Sequence, residues 1–117
     1  MFKWFNAIVQ ARRSWWHRRR SYTTFTGVVY MDSSIDPESA LTSRKLVIIG
    51  TADRPKWLRF LCPCRCGETL ALNLMPSHTP RWTVDLNKDQ TITVYPSVDA
   101  TQCRSHFWIR HNRVDWV

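Results

Sequence analysis

LCPCRCG, residues 61–67, places Cys62, Cys64 and Cys66 at alternate positions and ends on Gly67, while the remaining cysteine, Cys103, stands far downstream. In a chain expected to be cytosolic, such cysteines more often carry metal or redox chemistry than structural disulfides. Tetrahedral zinc takes four ligands, with sulfur at about 2.3 Å. A tight loop can offer several thiolates from one side, and a glycine lets the backbone turn close to the metal. The fourth ligand must then come from elsewhere. Cys103 is one candidate and His106, three residues beyond it, is another. Any four of Cys62, Cys64, Cys66, Cys103 and His106 would close a site. Free buried thiols and a redox pair are the other readings of the same residues.

Serine and histidine supply a second possible chemistry. QCRSHFWI sets Ser105 beside His106, and YPSV sets Ser97 at the end of a neighbouring segment. A nucleophilic hydroxyl needs a base within about 2.6–3.2 Å. Adjacent residues of an extended strand face opposite ways, so Ser105 and His106 do not pair unless the backbone bends. Ser97 and His106 pair more easily if their segments lie side by side, with Asp99 or Asp85 available to orient the imidazole. The plainer roles are turn hydroxyls and a core or metal-bound histidine. His17, His78 and His111 read as arm, loop and turn residues. HExxH is absent, as are a carboxylate pair, a phosphate-cradling glycine loop and a dinucleotide fingerprint. Thermolysin-like, glycosidase, nucleotide-hydrolase and dehydrogenase chemistries therefore lack support.

These residues must be positioned by strands. TFTGVVYM, KLVIIG, WLRFL, ETLALNL, RWTVDLN, TITVYPS, HFWIRHN and RVDWV are short, rich in β-branched and aromatic residues, and separated by Pro, Gly, Asn, Asp or Ser. RWTVDLNKDQTITVYPS reads as a hairpin turning at Asn87 to Asp89, and HFWIRHNRVDWV as a second turning near His111 and Asn112. Only residues 33–41, SSIDPESAL, read as a short helix, with Asp36 as cap and Pro37 in the first turn. The expected fold is mainly β, a small α+β domain: a compact antiparallel sheet of hairpins stapled by one zinc site, preceded by a basic amphipathic N-terminal helix. This divides the chain into an arm, residues 1–22, and a zinc-stapled β domain, residues 23–117.

Charge supports the division. Of the net +8, residues 1–20 carry +6, from one lysine and five arginines without an acid. Trp4, Ile8, Ala11 and Trp15 form one helical stripe there, and the arginines gather toward its C-terminal end, where the helix dipole favours them. Such an arm suits packing on the domain or on a second copy, or an anionic partner, either nucleic acid or a membrane surface. The 117 residues are 44% hydrophobic and 22% charged, ordinary for one folded domain. No apolar run approaches the roughly 20 residues of a membrane span, and no signal peptide is evident. The expected location is the cytoplasm.

CPCRCG, then a tryptophan-bearing hairpin ending in YPSV, then CRSHFWIRHNRVDW, resembles the BubE family of small bacterial and phage-borne domains. Those domains carry a CPCGCG-like element, a SPSI-like element and a C-x-SH-[YF]-x-I terminal hairpin. The likeness runs over residues 24–117 and leaves out the basic arm. It departs at Arg65, where the family has glycine, and at YPSV, which replaces SPSI. The resemblance implies a zinc-binding peptidase of bacterial ubiquitin-like conjugation and phage-defence operons, partnered by a ubiquitin-like protein or its conjugation enzymes. It further implies that Cys62, Cys64, Cys66 and Cys103 hold the metal, and that Ser97, Ser105 and His106 match the family's catalytic elements. The reading of another class is a noncatalytic zinc module whose arm binds nucleic acid, membrane or protein, with Trp57, Trp82, Trp108 and Trp116 mostly in its core.

Overall fold

Alternation of apolar and polar residues gives each segment one face to bury, and eight such segments form strands. The computed structural model describes residues 21–32, 41, 44–51 and 53–117. In chain order the strands are β1 (Gly27–Met31), β2 (Lys45–Gly50), β3 (Pro55–Leu61), β4 (Thr69–Asn73), β5 (Thr83–Leu86), β6 (Ile92–Ala100), β7 (Ser105–Arg110) and β8 (Arg113–Trp116). They make two four-stranded sheets, ordered β1-β2-β3-β4 and β5-β6-β7-β8. The mainly β class expected from sequence is what the chain adopts, and among the described residues every regular element is a strand. The basic helix over residues 1–20 lies outside the described residues, as does nearly all of the expected 33–41 helix. Tyr22, grouped with the arm on charge, is buried in the core.

One pairing departs from the all-antiparallel expectation. β1 runs parallel to β2, with Gly27 opposite Lys45 and Met31 opposite Ile49. Parallel neighbours need a connection of about a dozen residues or more, and residues 32–44 supply it. The remaining neighbours are antiparallel.

Inward residues of both sheets meet in one core: Leu46, Ile48, Leu58, Phe60 and Leu72 from the first, and Ile92, Val94, Val98, Phe107, Ile109 and Val114 from the second. A chain of edge-to-face rings crosses it, Tyr22 to Phe25 at 5.5 Å, Phe25 to Phe60 at 5.4 Å, Phe60 to Phe107 at 6.3 Å and Phe107 to Trp116 at 5.4 Å. Each such pair contributes about 0.5–1.5 kcal/mol beyond its burial. The tryptophans expected in the core sit at its margin instead. Trp82 and Trp116 pack against it partly buried, Trp57 is exposed, and Trp108 lies under the Arg110 guanidinium at 4.6 Å. An indole carries an N–H that needs a partner, and the phenylalanines fill the dry interior without one.

The last hairpin turns at His111 and Asn112, whose φ angles of 50° and 60° are those of a tight two-residue turn. Asn112 is buried there, its side-chain carbonyl accepting from the Ile92 N–H at 2.8 Å and its backbone carbonyl from Phe25 at 2.7 Å.

Candidate functional site

Two constellations lie at the β6–β7 hairpin, on opposite faces of it. The first is built from two turns. CPCRCG links β3 to β4 as a tight turn: the Arg65 N–H donates to the Cys62 carbonyl at 3.0 Å, and the Cys62 N–H to Glu68 at 2.9 Å. Arg65 and Gly67 have φ of 66° and 89°, the left-handed region that glycine enters most freely. Arg65 thus holds the conformation suited to the glycine of the resembled pattern, and its guanidinium lies 6.0 Å over the Tyr22 ring. Tyr22 braces this turn, donating its N–H to Pro63 at 3.0 Å and its hydroxyl to Leu61 at 3.1 Å. Cys103 comes from the turn between β6 and β7. The Gln102 amide, oriented to satisfy both groups, donates to the Glu68 carboxylate at 2.7 and 2.9 Å and joins the two turns.

The four sulfurs of Cys62, Cys64, Cys66 and Cys103 lie within 4.8 Å of one another, with Cys62 to Cys64 at 3.4 Å and Cys62 to Cys103 at 3.6 Å. All four are free thiols. Ligands about 2.3 Å from a tetrahedral metal stand roughly 3.8 Å apart, so the four sulfurs fit one ion. Burial pushes the Cys66 thiol up to about 12 and raises Cys62 as well, with crowding by the neighbouring thiols adding to both. At Cys103 burial acts upward too, but hydrogen bonds with Ser105 and the other cysteines bring the thiol below its ordinary value. The cluster could hold a metal ion, and His106 is not part of it.

The second constellation sits on the outer face. β7 alternates strictly: Ser105, Phe107 and Ile109 are buried, and His106 and Arg110 are exposed. Ser105 therefore turns inward, its Oγ 3.3 Å from Cys103 Sγ, while His106 turns outward. His106 Nε2 lies 2.8 Å from Ser97 Oγ. A bulge makes this possible. Val94 pairs with Ile109 and Val98 with Phe107, so Tyr95, Pro96 and Ser97 stand against Trp108 alone. Bulges re-aim side chains and are frequent beside active sites. Proline, which cannot donate to a ladder, is tolerated at such a position.

Asp99 is the register partner of His106, and both are exposed. Asp85 is opposite Thr93, away from the pair. Among the described residues no carboxylate hydrogen-bonds the His106 ring. Ser97 and His106 thus form a hydroxyl–imidazole pair open to solvent, the arrangement needed for nucleophilic catalysis. His78 bonds Ser77 at 2.9 Å in the loop before β5, and His111 lies 3.9 Å from Asp89, both apart from the pair.

Two contributors were not singled out in the sequence as site residues. The Trp82 indole N–H donates to the Ser97 carbonyl at 3.3 Å and so braces the bulge. Asn73, buried at the end of β4, takes the N–H of Trp82 on its backbone carbonyl at 2.8 Å. Its Nδ2 donates to the carbonyls of Met75, His78 and Pro80 at 3.1–3.2 Å. The only sequence signal for Asn73 is an asparagine breaking an apolar run, in ALNLM.

Residues 32–117 match the family described as BubE, bacterial ubiquitination-like system serine protease. No curated protein and no solved structure matches the chain. The chain belongs to the BubE family.

Proposed function

We propose that this member of the BubE family is a serine peptidase that acts on a ubiquitin-like protein, cleaving its tail or an isopeptide bond made through that tail. The observation that carries this reading is the 2.8 Å contact between Ser97 Oγ and His106 Nε2 on an open face, in a chain whose family is described as serine proteases. Neutral His106 takes the Ser97 proton as the oxygen attacks the scissile carbonyl carbon. The proton then passes to the departing amine, leaving an ester on Ser97. A water, deprotonated by His106, hydrolyses that ester and restores the serine. Asp99, directly across the ladder from His106, is the carboxylate positioned to bias the ring.

Cys62, Cys64, Cys66 and Cys103 are proposed to hold zinc. Four thiolates fill its tetrahedral sphere and leave no open position, so the ion supplies structure. It ties the β3–β4 turn to the foot of β7, three residues before His106. Ser105 serves this site as a hydrogen-bond partner of Cys103, and Ser97 is the nucleophile. A reducing compartment, the cytoplasm, would keep the thiols available.

The test is a serine-directed fluorophosphonate probe on the purified, metal-loaded protein, with peptide mapping of the adduct. Label on Ser97, abolished by His106→Ala with the metal retained, is the expected result. Release of metal by His106→Ala, or label on Ser105, would overturn the assignment.

A further inference from the structure

β6 outruns the strand beside it. β5 pairs with it only from Tyr95 to Ile92, while β6 continues to Ala100, so one edge of Pro96–Ala100 carries no strand. Sheet edges are ordinarily blunted or covered, because their N–H and C=O groups invite another strand. The opposite edge of the same sheet is covered: the Val114 N–H donates to the Thr23 carbonyl at 2.8 Å, and Thr24 bridges Arg113. Ser97, the proposed nucleophile, stands on the uncovered stretch, and so does Asp99, the register partner of His106.

Successive residues of an antiparallel strand turn their N–H and C=O groups to opposite edges. The His106 carbonyl accepts from the Val117 N–H at 2.9 Å, on the β8 side. Ser105 and Phe107 are therefore the β7 residues that bond to β6, opposite Ala100 and Val98. Asp99, between those two, points its N–H and C=O away from β7, onto the uncovered edge. Two bonds made from the β5 side agree with this alternation across the bulge: the Asn87 N–H donates to the Thr91 carbonyl at 2.9 Å, and the Trp82 indole to the Ser97 carbonyl at 3.3 Å. Trp82 thus occupies the Ser97 carbonyl. Among the described residues nothing on that side pairs with the backbone of Asp99, and Asp99 is exposed.

We infer that the Ser97–Ala100 edge of β6 binds the acyl segment of the substrate as an added strand, antiparallel to β6 and in line with β5. The residue two before the one that supplies the scissile carbonyl exchanges both backbone hydrogen bonds with Asp99. The inference rests on the proposed role of Ser97 and adds the class of substrate: an extended, unfolded segment recognised through its main chain. A strand added ~4.8 Å from β6 runs directly beside Ser97, and this brings the scissile carbonyl next to the residue whose Oγ meets His106. Trp82 sets the direction. It closes the Ser97 end of the edge, so the free length lies toward Ala100, and only an antiparallel chain places the residues preceding the scissile bond there. Proline at the position opposite Asp99 lacks the N–H and excludes a substrate.

The probe is acetyl-tetraalanine boronic acid, with boron in place of the scissile carbonyl, added to the metal-loaded protein labelled with nitrogen-15. Amide exchange is followed by magnetic resonance. In the free protein the Asp99 amide should exchange fast and those of Val98 and Ala100 slowly, and in the Ser97 adduct exchange at Asp99 should slow at least roughly tenfold. An ester oxygen in place of the N–H of the third residue from the boron removes the bond to the Asp99 carbonyl and should weaken binding about tenfold. The same change at the second residue, whose N–H faces away, should have little effect. Metal-loaded Ser97→Ala, titrated with the acetyl-tetraalanine carboxylic acid and its two esters, repeats both readouts without covalent chemistry. An Asp99 amide already slow in the free protein or unprotected in both complexes, or an ester effect indifferent to position, overturns the added strand whatever the labelling shows. Protection of Asp99 in Ser97→Ala, with no adduct on Ser97 in the parent, retains the strand and overturns the serine chemistry.

Discussion

Cys103 and His106 stand three residues apart at the start of one hairpin, yet they belong to sites of opposite character. The cysteine joins a closed cluster in which every sulfur faces another sulfur and two of the four residues are buried. The histidine stands on the outer face with its Nε2 on a serine hydroxyl and the rest of the ring toward solvent. A coordination sphere filled by protein ligands leaves nowhere for a substrate, whereas an open hydroxyl–imidazole pair has a reacting atom to offer. The pleat separates the two. Ser105 lies between them in sequence and faces the cluster, so of the two adjacent residues one can serve the metal and the other the substrate.

The largest effect that would test this contrast is removal of the proposed metal. Structural zinc contributes roughly 10–16 kcal/mol of apparent binding energy, as much as or more than the roughly 5–15 kcal/mol total stability of a domain. Chelation, or Cys64→Ser, should therefore abolish the cooperative thermal transition, read by circular dichroism. The same cluster predicts a pH dependence. Bound thiols are deprotonated, and burial holds Cys62 and Cys66 in the protonated form when no cation is present. Protons thus compete with the metal, and affinity should fall as pH falls, measured with a chromophoric chelator.

Next in size are Ser97→Ala and His106→Ala. Each should reduce peptide cleavage by about 10⁴-fold or more, with metal content and melting temperature essentially unchanged, because surface substitutions of this kind usually stay within about 0.5 kcal/mol. A fall in melting temperature matching that of Cys64→Ser would erase the distinction between the sites. Ser105→Ala should do the reverse on a smaller scale, weakening metal binding about tenfold as loss of a ligand's hydrogen-bond partner does, and sparing labelling. Smallest is Asp89→Asn, remote from both. Hydrogen bonds from the Thr91 hydroxyl and N–H hold the Asp89 carboxyl below its ordinary range. Its contribution is present above the unfolded carboxyl pKa and is lost as pH falls through the depressed folded value. The variant should show a slightly lower melting temperature at neutral pH and a flatter dependence on acid.

Much of the fold can be read in the residues. Leu58 and Phe60, or Ile92 and Val94, declare a buried face by their spacing. His111-Asn112 declares a turn by tolerance of positive φ. The parallel β1 was hidden, because Gly27 to Met31 reads identically beside either direction of neighbour. The bulge at Tyr95–Ser97 was hidden as well, since it exists only relative to Trp108 on the next strand.

For the candidate site, the sequence by itself determined the chemistry on offer: four thiols, one histidine near the last of them and two serines within reach. It also fixed, through the twofold period of a strand, that Ser105 and His106 face apart. Only the tertiary structure decided which thiols converge, that His106 stays outside their cluster, and that Ser97 is the serine brought to it. Asn73 and Trp82 gained their roles there too. The reason is physical: periodicity is a property of one segment, whereas register, bulges and the meeting of two turns arise from contacts between segments that the chain order leaves far apart.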